Sequence, residues 1–397
     1  MSDRAAELSP AFHARRRAAA IEAMQRAGFD ALVVANAPTI AYLTGFFHLT
    51  TERPILVVLP ASGDVFAITT ALEADHLAAR CPWLTDLVTY FDYPEADWSW
   101  AATRLRDRGL AGRRIGVDLA NLVMSDPVGA YEALRSALGD GVRNATPLLQ
   151  QVRMVKDAEE IAIFRTACAF SDWHVGQAFG VLREGVTEYE VHEAACRATI
   201  ERMLRELPRI EDQNGYDRNV IHGRTLFAGG SALPHGPKGT RRLAAPSVVI
   251  ASYGVGVCHY LGETERTGFF GAPPLETRRV FDVMLAAQSA ALDAIRPGAT
   301  CSQVHAAATR VIREAGLAHG LRHHTGHGKG IESHEPPFFD AGDHTELVPG
   351  MVMSVEPGIY LPGVAGFRHS DTVLVTETGC EVLTRFPRDA SGLTFPA

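Results

Sequence analysis

A chain of 397 residues exceeds what one ordinary hydrophobic core organises and fits two domains. Its formal net charge of −8 comes from interspersed acids and bases, which excludes the basic face of a nucleic-acid binder. No apolar run approaches bilayer-spanning length, and residues 1–28 read as an amphipathic helix without the apolar stretch of a secretory signal. The six cysteines are scattered, with no CxxC pair, and read as reduced thiols. The expectation is a soluble cytoplasmic protein with no membrane and no nucleic-acid partner.

Ser9-Pro10 supplies a helix cap and first residue, and Gly28 the stop. "DALVVAN" is a short β-branched strand, and "RPILVVLPASGDVFAI" a hairpin turning at Ser62-Gly63-Asp64. A helix over 70–80, a strand "DLVTYF", a helix from Asp97, a strand "RRIGVD" and a helix near Asp126 complete an α/β layout. Residues 1–150 are therefore predicted as an α/β N-terminal domain, and 151–397 as an α+β C-terminal domain. The second opens with a long helix ending at Gly185, and Thr187 with Glu190 forms a capping box for the next. "PSVVIASYGVGVCHYLGETERTGFFG" reads as two paired strands about a glycine-punctuated turn. Helices over 275–295 and 301–315 follow, then the strands "GMVMSVEPGIYL", "SDTVLVTETG" and "CEVLTRF".

Polar residues on strands that should be buried are informative, because burial has a cost unless they are paired or used. Four segments carry them: His235 in "SALPHGPKGTRRL", Glu263 and Glu265 in "HYLGETERTGFF", His327 and His334 in "RHHTGHGKGIESHEPP", and Glu356 in "VMSVEPGIY". Together they offer carboxylates and imidazoles to one pocket. Plainer readings stand beside this one. His235 also suits a cap of its Pro-Gly turn, Glu265 an ion-pair partner of Arg266, and Arg53 an exposed cation at a strand start. His323 and His324 are adjacent, so a strand would send one inward and leave the other exposed. Trp98 and Trp100 suit packing or dimer contacts, and "KGTRRL" a solvated basic loop.

"TGHGKGIESHEPP" resembles the GHG-x-G-x-x-x-HE-x-P signature of the creatinase/prolidase/methionine-aminopeptidase, or pita-bread, family. "GMVMSVEPGIYLPG" and "GFRHSDTVLVTETGCEVLT" resemble that family's closing strands. The resemblance implies a creatinase/prolidase-type α/β N-terminal domain and an α+β pita-bread catalytic domain. Metal-dependent members hold two divalent ions with two Asp, one His and two Glu. Those positions are here Ser252, Glu263, His327, Glu356 and Ser370. Neutral serines are poor replacements for bridging carboxylates, so no metal and no other cofactor is expected.

The family's metal-free creatinase branch is the better match. Glu265-Arg266-Thr267 matches its "ERT" triplet, His235 its catalytic histidine, and Ser354-Val355-Glu356-Pro357 its "SMEP" strand. Tyr42-Leu43-Thr44-Gly45 precedes Arg53 at the spacing of an arginine that receives the substrate carboxylate from the partner subunit, which implies a homodimer. A second carboxylate-binding arginine of creatinases has no match at "PPFFDAGD", a departure from creatine itself. The implied chemistry is hydrolysis of a C–N bond in a small guanidino, amidine or cyclic-amide acid. His235 serves as acid and base, Glu265 and Glu356 hold the reacting group, and His327 orients it. Arg53, Glu263 and His334 are the expected substrate contacts. Two other readings are a metal-dependent Xaa-Pro dipeptidase with a degenerate centre, and a non-catalytic binding module of the kind this fold forms in chromatin factors.

Overall fold

The computed structural model describes residues 5–91, 97–122, 126–208, 210 and 221–397. The described residues divide into two compact units, Leu8–Arg153 and a second that holds everything from Met154 onward together with residues 5–7.

The first unit runs α1 (Pro10–Arg26), β1 (Ala31–Val34), α2 (Ala37–Thr44), β2 (Leu56–Pro60), β3 (Phe66–Thr70), α3 (Ala71–Arg80), β4 (Asp86–Tyr90), α4 (Trp98–Leu105), β5 (Ile115–Asp118), α5 (Pro127–Leu138), β6 (Val142–Asn144) and α6 (Thr146–Met154). Its six strands form one mixed sheet in the order β4-β3-β2-β1-β5-β6. The expected hairpin is β2–β3, and the caps read from Ser9, Asp97 and Asp126 each accept a backbone N–H of the following helix. Trp98 and Trp100 pack against the core of this unit. Helix α2 is not in the sequence reading, although Pro38 in its first turn and Gly45 in the left-handed conformation at its end were its signals.

The second unit continues with α7 (Ala158–Gly180), α8 (Glu188–Glu206), β7 (Ile221–Phe227), β8 (Ser247–Val257), β9 (Tyr260–Phe270), α9 (Leu275–Ala294), α10 (Cys301–Glu314), β10 (His327–Gly328), β11 (Glu335–Phe338), β12 (Val352–Val355), β13 (Gly358–Leu361), β14 (Ala365–Arg368), β15 (Ser370–Val375), β16 (Cys380–Val382) and β17 (Thr394–Phe395). The α/β-plus-α+β architecture is the one the resemblance implied. The capping box of Thr187 and Glu190 is present. Helix α7 stops at Gly180, short of Gly185, whose backbone N–H is instead held by the Leu243 carbonyl. Strands β8 and β9 do pair as a hairpin, but their turn is Cys258-His259 with φ of 48° and 64°, so neither turn residue is a glycine.

The main sheet of this unit runs β11-β10-β12-β15-β9-β8-β7. Directly paired residues of antiparallel strands share a face. The register therefore lines up one row across four strands: Arg224 opposite Ser252, Ser252 opposite Glu265, and Glu265 opposite Ser370.

Arg266 points to the opposite face from Glu265 and is fully buried. Its Nη2 donates to Asp371 Oδ1 at 2.6 Å, and its Nη1 donates to the Ser370 carbonyl at 2.9 Å. Asp371 also accepts from Thr384 Oγ1 at 2.6 Å and Gln288 Nε2 at 2.9 Å. The Glu265 carboxylate is thus not the ion-pair partner of Arg266, whose Nη1 donates instead to the Glu265 backbone carbonyl at 2.8 Å. Removing one member of such a pair strands a buried charge, so Asp371→Ala should destabilise the protein by about 3–5 kcal/mol. Urea unfolding at neutral pH checks this, and a loss below about 1 kcal/mol would mean that the pair does not hold β15 to β9.

Candidate active site

Three carboxylates occupy the face marked out by that row, and each has a defined cationic or hydroxyl partner. Glu265 Oε1 accepts from Arg368 Nη2 at 2.7 Å and from Ser252 Oγ, while its Oε2 meets Arg368 Nε. Glu263, two residues earlier and so on the same face, accepts from Lys329 Nζ at 2.9 Å and from Ser370 Oγ at 2.6 Å. Glu356, at the end of β12, lies with Oε1 3.2 Å from His327 Nε2 and Oε2 3.8 Å from Arg368 Nη1. Lys329 is fully buried, and Arg368 nearly so.

These environments set the three carboxyls apart. Burial would raise Glu263, but Lys329, together with His327 and the Ser370 hydroxyl, outweighs it and holds the group down at about 2. Glu356 is likewise held well below the usual range: burial works against ionisation, and the His327 hydrogen bond with the Arg368 charge wins. Three adjacent carboxylates share two full cations, and Glu265 yields. Burial, with the charges of Glu263 and Glu356, outweighs Arg368 and raises it to about 7.

The "ERT" triplet converges on a single segment. Glu265 takes the Arg368 side chain, Arg266 the Ser370 carbonyl and Asp371, and Thr267 Oγ1 donates to the Arg368 carbonyl at 2.9 Å while accepting its N–H at 2.8 Å. Strand β9 therefore fixes the arginine that spans Glu265 and Glu356.

The imidazoles gather on the other side of Glu356. His327 is buried, its Nδ1 2.9 Å from the Gly328 carbonyl, and His334 stacks on it at 3.8 Å between ring centroids. Burial first, and then the neighbouring His327, brings His334 down to about 4. His323 and His324 do not divide into one buried and one exposed residue. Both are half-buried, because the segment before β10 is irregular, bent backbone and not a strand. His323 Nε2 lies 2.9 Å from Tyr360 Oη, and His324 is 6.3 Å from His327.

His235 stands at the exposed end of the loop after β7. Its pKa is lowered by partial burial and then by the positive charges of Arg224 and Arg368, with Glu356 opposing. Glu356 alone does not reverse the lowering by burial and the two guanidinium groups. The imidazole is consequently neutral, and able to accept a proton, at pH 7. Glu188, fully buried at the start of α8, clamps this loop at both ends. Its Oε1 accepts from the Phe227 N–H at 2.9 Å and Arg241 Nη1 at 2.6 Å, and its Oε2 from the Gly239 N–H at 2.8 Å. "KGTRRL" is accordingly anchored at Arg241, not simply solvated. Neither Glu188 nor the two site cations, Lys329 and Arg368, emerged from the sequence reading. Arg53 lies in the N-terminal unit, its Nη1 2.9 Å from Glu52 Oε1.

The donor set does not fit a bridged pair of divalent ions. Ser252 and Ser370, at two of the five ligand positions, act as donors to Glu265 and Glu263. Lys329 and Arg368 supply positive charge directly to Glu263 and Glu265. One atom each from Glu263, His327 and Glu356 lie within 4.8 Å of one another, near enough to touch one ion, but that ion would sit beside a buried ammonium.

A depressed carboxyl stabilises the fold above its unfolded pKa of about 4.5, and this is lost as pH falls towards its folded value of about 2. In Lys329→Met, Glu263 becomes a buried carboxylate without its cation. The variant should lose about 3–5 kcal/mol at pH 7, with the deficit shrinking as acid protonates Glu263. Adding Glu263→Gln should recover part of it. Urea unfolding of the wild type and both variants at pH 7 and pH 5 checks this; a deficit independent of pH and of Glu263 would refute the pairing.

Residues 162–377 match the model of metallopeptidase family M24, and residues 16–155 match the creatinase/prolidase N-terminal domain. The chain is similar to a putative dipeptidase, YkvY, of Bacillus subtilis, with 29% identity covering 92% of this chain and 96% of the relative. It is also similar to an agropine synthesis cyclase of Rhizobium rhizogenes, with 33% identity covering 92% of this chain and 93% of the relative. Among solved structures, dipeptidase PepE from Mycobacterium ulcerans superposes with a TM-score of 0.84 and 31% identity, over 98% of this chain and 100% of that one. With both domains matched along most of its length, the chain belongs to the M24 family and carries the creatinase/prolidase N-terminal domain.

Proposed function

We propose that this protein is a hydrolase of a C–N bond in a small acid of guanidino, amidine or cyclic-amide type, working by general acid–base catalysis without a metal. The observation that supports this most directly is the Lys329 ammonium 2.9 Å from Glu263, with the Arg368 guanidinium across Glu265 and Glu356. The similarity to a cyclase of agropine synthesis supports a substrate other than a peptide.

In this reading water adds to the carbon of the C–N bond and passes its proton to neutral His235. The same proton then goes to the departing nitrogen as the bond breaks. Glu356, ionised and held by His327, accepts hydrogen bonds from the N–H groups of the substrate. Arg368 and Lys329 keep that carboxylate cluster charged in a buried place, and Glu265 exchanges a proton near neutrality. His334, stacked on His327, borders the same space. The active unit is a homodimer in which Arg53 of one copy receives the substrate carboxylate in the site of the other.

The second reading, a dipeptidase holding one ion on Glu263, His327 and Glu356, has the 4.8 Å cluster and the dipeptidase relatives in its favour. Elemental analysis of the purified protein, with turnover of a C–N substrate panel measured with and without chelator, separates the two. The expected result is fewer than about one tightly held divalent ion per chain and activity indifferent to chelator. Two ions per chain with chelator-abolished cleavage of Xaa-Pro dipeptides would overturn the proposal.

His235→Ala should lower kcat by about two to four orders of magnitude and leave the fold intact. Because burial and the nearby arginines lower the His235 pKa, kcat/KM should hold through pH 7 and fall only below about 6.5, as the imidazole protonates. A variant with near wild-type turnover would remove His235 from the mechanism.

A further inference from the structure

Arg224 stands at the open end of the row that carries Ser252, Glu265 and Ser370, on the edge strand β7. Just before it, Gly223 takes a φ of 139°, and a side chain there would run into the Ser252 carbonyl, so β7 is pressed against β8 at this point. The face shared by the row is established by a contact, since Ser252 Oγ donates to Glu265. Arg224 therefore presents its side chain to the same space as the three carboxylates.

That side chain is half-buried, and its Nε is buried without an acceptor among the described residues. The nearest opposite charge in the row, Glu265, is already committed: Oε1 accepts from Ser252 and Arg368, and Oε2 meets Arg368 Nε. Glu263 is held by Lys329 and Ser370, and Glu356 by His327 and Arg368. A partly desolvated guanidinium with a buried, unfilled Nε donor is costly to keep unless a ligand fills it. Its charge also reaches His235 at the mouth of the site.

Resting on the reading of this site as one for a small acid, we infer that Arg224 is a specificity-determining residue that binds an anionic carboxylate of the substrate from within the same subunit. The planar fork of a guanidinium matches a carboxylate's two oxygens. The anion would lie between Arg224 and His235, close to the bond that is cleaved, so the substrate is a short molecule with its carboxylate near the scissile nitrogen.

The test is binding, which needs neither turnover nor a known substrate. Isothermal titration of the wild type with 5-oxoproline, creatine and glycyl-proline, each against its uncharged C-terminal amide, reads the preference for a carboxylate. At least one acid should bind about 10- to 100-fold more tightly than its amide. Arg224→Gln should cut that preference about tenfold, leaving only what Arg53 of the other copy supplies, and Arg224→Lys, which keeps the charge but loses the fork, should restore part of it. No acid preferred over its amide in the wild type, or a preference unchanged in Arg224→Gln, would overturn the inference. Metal content and chelator sensitivity decide the wider reading separately: a metal-holding protein whose carboxylate preference still falls in Arg224→Gln would sink that reading and keep this one. For a turned-over acid, Arg224→Gln should raise KM about 10- to 100-fold with kcat changed less than about threefold, a split that a loss of fold would not produce.

Discussion

Three carboxylates buried on one face of a sheet demand positive charge within a few ångströms, and the rest of this site follows from where that charge comes from. Glu263, Glu265 and Glu356 cannot all remain ionised out of water unless cations stand against them. In the metal-dependent members that the sequence resembles, two divalent ions meet the demand. In this chain Lys329 and Arg368 meet it covalently. The serines complete the exchange: at positions where a carboxylate would accept a metal, Ser252 and Ser370 donate to the carboxylates that are left.

A built-in cation has to be aimed, and much of the surrounding structure does the aiming. Thr267 fixes the Arg368 backbone from both its N–H and its carbonyl, while Arg266 ties the next residues to β9 through the Ser370 carbonyl and Asp371. Lys329 sits between Gly328 and Gly330, where any side chain would collide with the 335–336 segment. That close approach lets the chain pair directly with β11 and leave it towards Glu263, where Lys329 delivers its ammonium. Glu188 performs the corresponding task for His235 by holding the two ends of its loop.

Much of this was legible in the sequence where the signal is local or carried by a motif. The capping box at Thr187 and Glu190, the β2–β3 hairpin and the β8–β9 pairing follow from spacing and composition, and the fold follows from the GHG-x-G and EPGIY segments. What escaped depends on register. Lys329 and Glu263 are 66 positions apart, and Arg368 and Glu265 are 103 apart, so only the assembled sheet brings them together. Comparing the ligand positions showed what Ser252 and Ser370 had lost but not what had taken the place of the ions. A lysine within the GHG-x-G motif was the available clue. The Cys258-His259 turn was missed for a different reason: the flanking glycines at 254, 256 and 262 drew attention from two residues that tolerate positive φ only at a cost.

Covalent cations also limit the chemistry. A bound divalent ion activates water by lowering its pKa, and neither an ammonium already shared with Glu263 nor a guanidinium already shared with Glu265 replaces that effect. In the proposed metal-free reaction the proton of the attacking water has to go to a group of this chain that is unprotonated at working pH. Glu263 and Glu356 are poor candidates, since Glu263 is ion-paired with Lys329 and Glu356 lies against the Arg368 guanidinium, contacts that protonation would weaken. His235 is exposed, its pKa is lowered by partial burial and then by the arginines around it, and in the proposed reaction it moves the proton to the leaving nitrogen. The same positive charges that contribute to lowering its pKa oppose the imidazolium that the proposed reaction would form. A negatively charged substrate would relieve that opposition on binding, which couples recognition of the acid to the basicity of the catalyst.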